Sequence, residues 1–88
     1  MNNNDTILEY RSKVTSWLSE AKRRGATHII VAYDTKKSNP FPVYISSNTN
    51  VQQKINSFNN NEFVRALEVY NMNMDIDTQL LQARTWNV

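Results

Sequence analysis

Ala26–Ser47, ATHIIVAYDTKKSNPFPVYISS, decides the fold of this 88-residue chain. Ile29, Val31 and Tyr33 alternate with His28, Ile30, Ala32 and Asp34, and β-branched residues at a period of two predict a strand rather than a helix. Val43, Tyr44 and Ile45 supply its partner, so the stretch reads as a β-hairpin. Between the two runs, Asp34, Thr35, Lys36, Lys37, Ser38, Asn39, Pro40 and Pro42 are loop formers, and Pro42 suits the start of an edge strand because it has no N–H to give to a ladder. Both faces of the first strand are largely apolar, which calls for a covering layer on each.

Upstream, Ile7, Tyr10, Val14, Trp17, Leu18 and Ala21 recur at helical spacing, with Thr6 and Glu9 placed as a capping box. Lys22, Arg23 and Arg24 fall in the last turn, where the macrodipole favours positive charge, and Gly25 is placed for a left-handed residue just past the helix. Downstream, Val51, Ile55 and Phe58 predict a short helix over Asn50 to Phe58, with Thr49 and Gln52 as its capping box. Phe63 to Met72, FVRALEVYNM, fits either a helix or a strand. A third strand is preferred, because a hairpin alone is not independently stable. Asp75 or Asp77 can cap a final helix that carries Ile76, Leu80 and Ala83 and runs on to Arg84 and Trp86. The expected fold class is α+β, one domain: a small antiparallel sheet packed with an N-terminal, a middle and a C-terminal helix. Tyr10, Trp17, Phe58 and Phe63 are assigned to the core.

Composition excludes several functions. Without cysteine there is no disulfide framework, thiolate zinc site or thiol nucleophile. Ten basic against 8 acidic residues, a net charge of +2, is too balanced for a protein that grips DNA or long RNA. MNNNDT lacks the features of a signal peptide and no apolar run approaches a membrane span, so a cytoplasmic protein is expected. His28 is the one histidine, set within a strand with no paired carboxylate nearby in sequence, and reads as structural. Asp75 and Asp77 read as caps rather than metal ligands. No cofactor and no catalytic group is expected, whereas binding has material: planar faces at Tyr33, Tyr44, Tyr70 and Trp86, cationic donors at Lys36, Lys37, Arg65 and Arg84, and polar edges at Asp34, Thr35 and Glu68.

The succession of an amphipathic helix, GATHIIVAYDT, PVYI, ALEVYNM, D-x-x-x-Q-L and R-x-W, over roughly residues 6 to 88, resembles a family of small phage proteins. These are the anti-CBASS sponges, in their T4-type form, which sequester cyclic oligonucleotide signals such as 3′3′-cyclic GMP-AMP (3′3′-cGAMP). Asp34 and Thr35 match the family's hairpin loop while Lys36 and Lys37 depart from it; Glu68, Val69 and Tyr70 match its EVY segment, and Arg84 with Trp86 its last segment. The resemblance implies non-covalent sequestration of a cyclic dinucleotide in the host bacterial cytoplasm, within a homo-oligomer that holds ligand between subunits. The expected ligand-binding residues are Arg84, Tyr44, Trp86, Asp34, Thr35, Lys36, Tyr70 and Glu68. A protein-directed inhibitor of a host enzyme and a phosphodiesterase that cleaves the signal are the rival readings.

Overall fold

The computed structural model describes residues 3–82 and 84–88, with side chains from residue 9 onward. Its elements run α1 (Asn3–Arg24), β1 (His28–Asp34), β2 (Asn39–Ile45), α2 (Val51–Asn59), β3 (Val64–Asn71) and α3 (Ile76–Leu81). β1 lies in the centre of a three-stranded sheet of order β2-β1-β3, antiparallel to both neighbours. The expected α+β class and the third strand are both present.

Strand alternation divides the core. Ile29 and Val31 face α1, where they pack with Val14, Leu18, Ala21 and Tyr70; Ile30 faces α2 and packs with Ile45, Ile55, Ala66 and Val69. Residues of β1 from Ile29 to Ala32 are at most 1% exposed, so both faces of the central strand are covered as its sequence requires. Register follows from the same alternation: Ile29 stands between Tyr44 and Tyr70, and Val31 between Pro42 and Glu68. One irregularity between Val31 and Ala32 admits Leu67 as an extra residue of β3, leaving it 37% exposed.

Several local expectations shift. α1 starts at Asn3, so Thr6 lies inside the helix instead of capping it; once a long helix is docked, extending it by a turn costs little. Ile7 falls outside the described side chains. Gly25 takes φ +69° and ends α1 as expected, its N–H donating to Lys22 O at 3.2 Å. The hairpin loop is shorter than the run of turn formers, since β1 continues through Asp34 and β2 already begins at Asn39. Asn50, not Thr49, caps α2: its side chain accepts from Gln53 N–H at 3.0 Å.

The largest correction is at the C-terminal end. α3 is capped by Asp75 but stops at Leu81, and Arg84 and Trp86 lie beyond it in an extended segment; Ala83 falls outside the described residues. Val69 N–H donates to Thr85 O and Asn87 N–H to Val69 O, each at 2.9 Å, so Trp86 flanks the outer edge of β3. The helical continuation loses because this segment satisfies an open sheet edge, which a further helical turn would leave unpaired. At the opposite edge, Pro40 and Pro42 occupy alternate positions of β2. Having no N–H, they fit only where the ladder does not need one, and leave Tyr44 the one donor on that outward-facing row. That edge is poor in donors and resists pairing with another strand.

Candidate functional site

Side-chain amide chemistry holds the C-terminal segment. Gln79 is wholly buried, and its amide reproduces a strand partner for Asn71: Oε1 accepts from Asn71 N–H and Nε2 donates to Asn71 O, both at 2.8 Å. Oε1 also accepts from Asn87 Nδ2 at 3.0 Å, while Gln79 O accepts from the buried Thr85 hydroxyl at 2.6 Å. A buried amide with its polar atoms satisfied fixes position as well as contributing stability. Thus the chain on both sides of Arg84 and Trp86 is pinned.

On this segment the exposed Arg84 guanidinium stands 5.3 Å from the Trp86 ring centre. Trp86 is partly buried against Ile30, Ile55 and Val69, so one part of the indole anchors the segment and the remainder is accessible. The geometry offers an always-charged, forked donor beside a planar apolar surface.

The other expected ligand residues lie elsewhere. Tyr44, Glu68 and Tyr70 are on the α1 side of the sheet. Arg24 covers the Tyr44 ring at 4.2 Å while also bonding Glu20 at 3.0 Å. Glu68 accepts a short hydrogen bond from the Tyr10 hydroxyl and lies 3.4 Å from that of Tyr70, which ties α1 to β3. Burial, with the adjacent Glu68 charge, pushes the Tyr70 phenol up to about 12; burial and the Glu68 bond raise Tyr10 further still. Tyr70 is 3% exposed and belongs to the core.

At the hairpin tip Asp34 Oδ1 accepts from the N–H groups of Lys36 and Lys37 at 2.9 and 3.1 Å. The Thr35 hydroxyl and N–H both donate to Phe63 O, at 3.0 and 2.8 Å. These polar groups therefore shape the turn. Lys36 Nζ stands 4.1 Å over the Phe63 ring. Phe63 itself is 38% exposed, a correction to its core assignment, because β3 starts at Val64 and leaves Phe63 beyond the end of the sheet.

A single chain thus distributes the expected residues among three places: the C-terminal segment, the α1 face and the hairpin tip. Between α1 and the turn after β3 lies a shallow groove of about 310 Å³, lined by Lys22, Gly25, Ala26, Met72, Asn73 and Ile76, none of them among the expected ligand residues. The basic end of α1 is largely self-paired: Arg23 and Arg24 both bond Glu20, whose carboxyl is pulled down to about 2 by Arg23 first and Arg24 second.

His28, expected as a satisfied structural residue, is only half satisfied. Its Nδ1 meets Thr27 Oγ1 at 2.9 Å, whereas Nε2 is buried without a partner among the described residues, and burial lowers its pKa. Among the described residues no group of three or more His, Asp or Glu could hold a metal ion, and no helix is long and apolar enough to cross a membrane. Tyr10, assigned to the core, and Gln79, quoted within D-x-x-x-Q-L, make polar bonds that a reading for ligand chemistry did not assign to them. The signal for Gln79 was one apolar-face position of α3 occupied by an amide. Compared with family models, with characterised proteins and with solved structures, the chain matches none.

Proposed function

We propose that this protein is a non-catalytic sponge, which binds cyclic dinucleotide signals such as 3′3′-cGAMP and withholds them from host CBASS defence. The observation that carries the reading is the Arg84–Trp86 pair, a cation 5.3 Å from an indole on a segment locked by the buried Gln79 amide. Such a pair suits a nucleotide, with the guanidinium on a phosphodiester and the ring against a base. Pre-organisation matters because ordering a mobile arginine at the moment of binding would subtract from affinity. Base stacking of about 1 to 3 kcal/mol and charge-assisted bonds of about 1.5 to 3 kcal/mol each can reach the roughly −12 kcal/mol of a nanomolar complex when both halves of the ligand are held.

The Arg84–Trp86 pair occurs once per chain, and the ligand has two phosphodiesters and two purines. A homo-oligomer with ligand between subunits supplies the second pair by symmetry. The test is calorimetry with 3′3′-cGAMP followed by chromatography of the nucleotide recovered after denaturation. Tight binding with intact nucleotide is expected, and Arg84→Ala should weaken binding by about 2 to 4 kcal/mol. Recovery of linear product would establish a phosphodiesterase instead. No binding to any cyclic di- or trinucleotide, with a host protein retained by the pure chain, would establish the protein-directed inhibitor.

A further inference from the structure

The sponge reading leaves the edge of the base without a partner. Arg84 takes a phosphodiester and Trp86 a ring face, while Asp34, Thr35 and Glu68 are engaged in the turn and with Tyr10, and the Asn87 amide is spent on Gln79 and Gln82. α2 brings free polar groups to the same side of the sheet. Gln52, Asn56 and Asn59 stand four and three residues apart, which puts them on one stripe of the helix, and all three are exposed. The stripe is fastened to β3 at one end, where Asn59 Oδ1 accepts from Ala66 N–H at 3.3 Å. Ile55, next to Asn56, is buried in one cluster with Ala66 and Val69, and Trp86 packs against that cluster. Joined by the short connection 60–63, α2 and β3 run in opposite directions. From Asn59 back to Gln52 the helix rises about 10 Å, and from Ala66 on to Val69 the strand advances about 10 Å. The stripe thus extends from Ala66 to the level of Val69, the residue that Trp86 flanks.

Along the stripe Gln52 Nε2 donates to Asn56 Oδ1 at 3.0 Å. As an i, i+4 pair this adds slightly to the helix. It also orients the two amides, leaving Gln52 Oε1 to accept and Asn56 Nδ2 to donate, with no other partner among the described residues. We infer that this pair reads the edge of the nucleobase that stacks on Trp86, an inference that rests on the sponge reading. A purine edge sets a donor beside an acceptor, N6–H and N1 in adenine, N1–H and O6 in guanine, which complements one free acceptor and one free donor. Both purines of 3′3′-cGAMP meet that condition, so either half of the ring can occupy the site. Because their mutual bond already orients the amides, little order has to be imposed on binding.

The double variant Gln52→Ala with Asn56→Ala tests the contact, because alanine favours a helix and the exposed pair can be removed without disturbing the core. By calorimetry it should bind 3′3′-cGAMP about 10-fold more weakly than the wild type, with unchanged circular dichroism. Gln53→Ala, on another face of α2, should keep wild-type affinity. A second probe isolates the base edge: an analogue of 3′3′-cGAMP whose two purines are unsubstituted at C2 and C6 still stacks but presents no donor. The wild type should bind this analogue about 10-fold more weakly than 3′3′-cGAMP, and the double variant should lose little further against it. Wild-type affinity of the double variant for 3′3′-cGAMP, or an equal loss against both probes, would overturn the base contact and leave the sponge reading standing. If the wild type binds no cyclic dinucleotide, the sponge reading fails and the base contact falls with it.

Discussion

The two faces of the sheet are covered by different means. Over one lies α1, 22 residues long, which buries Val14, Leu18 and Ala21, with Ile76 and Leu80 of the short α3 packed at the margin of the same cluster; among the described residues the Tyr10–Glu68 bond adds a polar tie. Over the other lies α2, nine residues long with Ile55 its one buried residue, together with an extended segment that side-chain hydrogen bonds hold in place. Where a long amphipathic helix is available, apolar area is sufficient. Where cover comes from short pieces, directional polar bonds must place them, and failure of one bond releases more than its own energy. The difference predicts how each face breaks.

The second face should be the more fragile. Gln79→Ala leaves Asn71 N–H and C=O, Asn87 and neighbouring carbonyls without their partner, and should cost about 3 kcal/mol. For a domain of this size that corresponds to a fall of about 15 °C in Tm. Thr85→Val, which removes one bond to Gln79 O, should cost about 1 kcal/mol. Because both act through one segment, the double variant should lose less than the sum. Additive losses by calorimetry would mean that the segment is not a cooperative unit. Trp86 fluorescence should report release of the segment before the far-ultraviolet circular dichroism of α1 changes.

On the α1 face, Tyr10→Phe keeps the ring packed against Val14 and Leu18 and removes only the hydroxyl, so the expected cost is about 1.5 kcal/mol. Glu68→Gln, which preserves an acceptor, should cost less. A loss under Tyr10→Phe as large as that of Gln79→Ala would erase the contrast between the faces.

This contrast also explains what the sequence disclosed. α1 and β1 were legible because periodicity extends over whole elements: Val14, Leu18 and Ala21 for the helix, Ile29 to Tyr33 for the central strand. The pattern of β3 fitted a helix as well as a strand, and the need for a third strand beside the hairpin decided it. The C-terminal end was not legible, because Ile76 and Leu80 give a helical signal that says nothing of where it ends. What ends α3 is the pairing of Thr85 and Asn87 with Val69, a contact across more than 15 positions that no local pattern announces. Of the candidate site, Arg84 and Trp86 remain together, whereas Asp34, Thr35 and Glu68 are engaged in the turn and in the tie to α1. Residue type alone does not separate a polar group that meets ligand from one that shapes a turn.

pH should separate the faces again, at opposite ends of the scale. His28, with its pKa lowered by burial, is neutral in the fold and readily protonated when unfolded. Stability from this source is fully present above about pH 6.5, the ordinary histidine value, and declines as the pH falls below it. The carboxyl groups of Glu20 and Asp75, both lowered by their partners, begin to cost stability only below about pH 4.5. The interval between these values therefore belongs to His28, and His28→Gln should flatten it. Tyr10 and Tyr70 are raised, so their contribution is complete below about pH 10 and is lost as the pH climbs beyond it. Tyr10→Phe should shallow that alkaline limb without altering the acid one. Equal slopes in variant and wild type at either end would reassign the limb to other groups.

The hairpin tip belongs to neither face and should matter least to stability. Thr35 already fixes it to Phe63 O through two bonds, and Lys36 adds an exposed cation 4.1 Å above the Phe63 ring. Exposed contacts of this kind are worth about 0.5 to 1 kcal/mol, since the ammonium is still hydrated on its outer side. Lys36→Met retains the apolar stem against the ring and removes the charge alone, so the expected loss is about 0.5 kcal/mol, or some 3 °C in Tm. Phe63→Leu removes the ring, and the double variant with Lys36→Met should show a coupling of the same size. A coupling indistinguishable from zero would mean that Lys36 is free for other partners. One above about 1.5 kcal/mol would mean that the tip, like the Gln79 segment, is a pinned element whose order the rest of the sheet depends on.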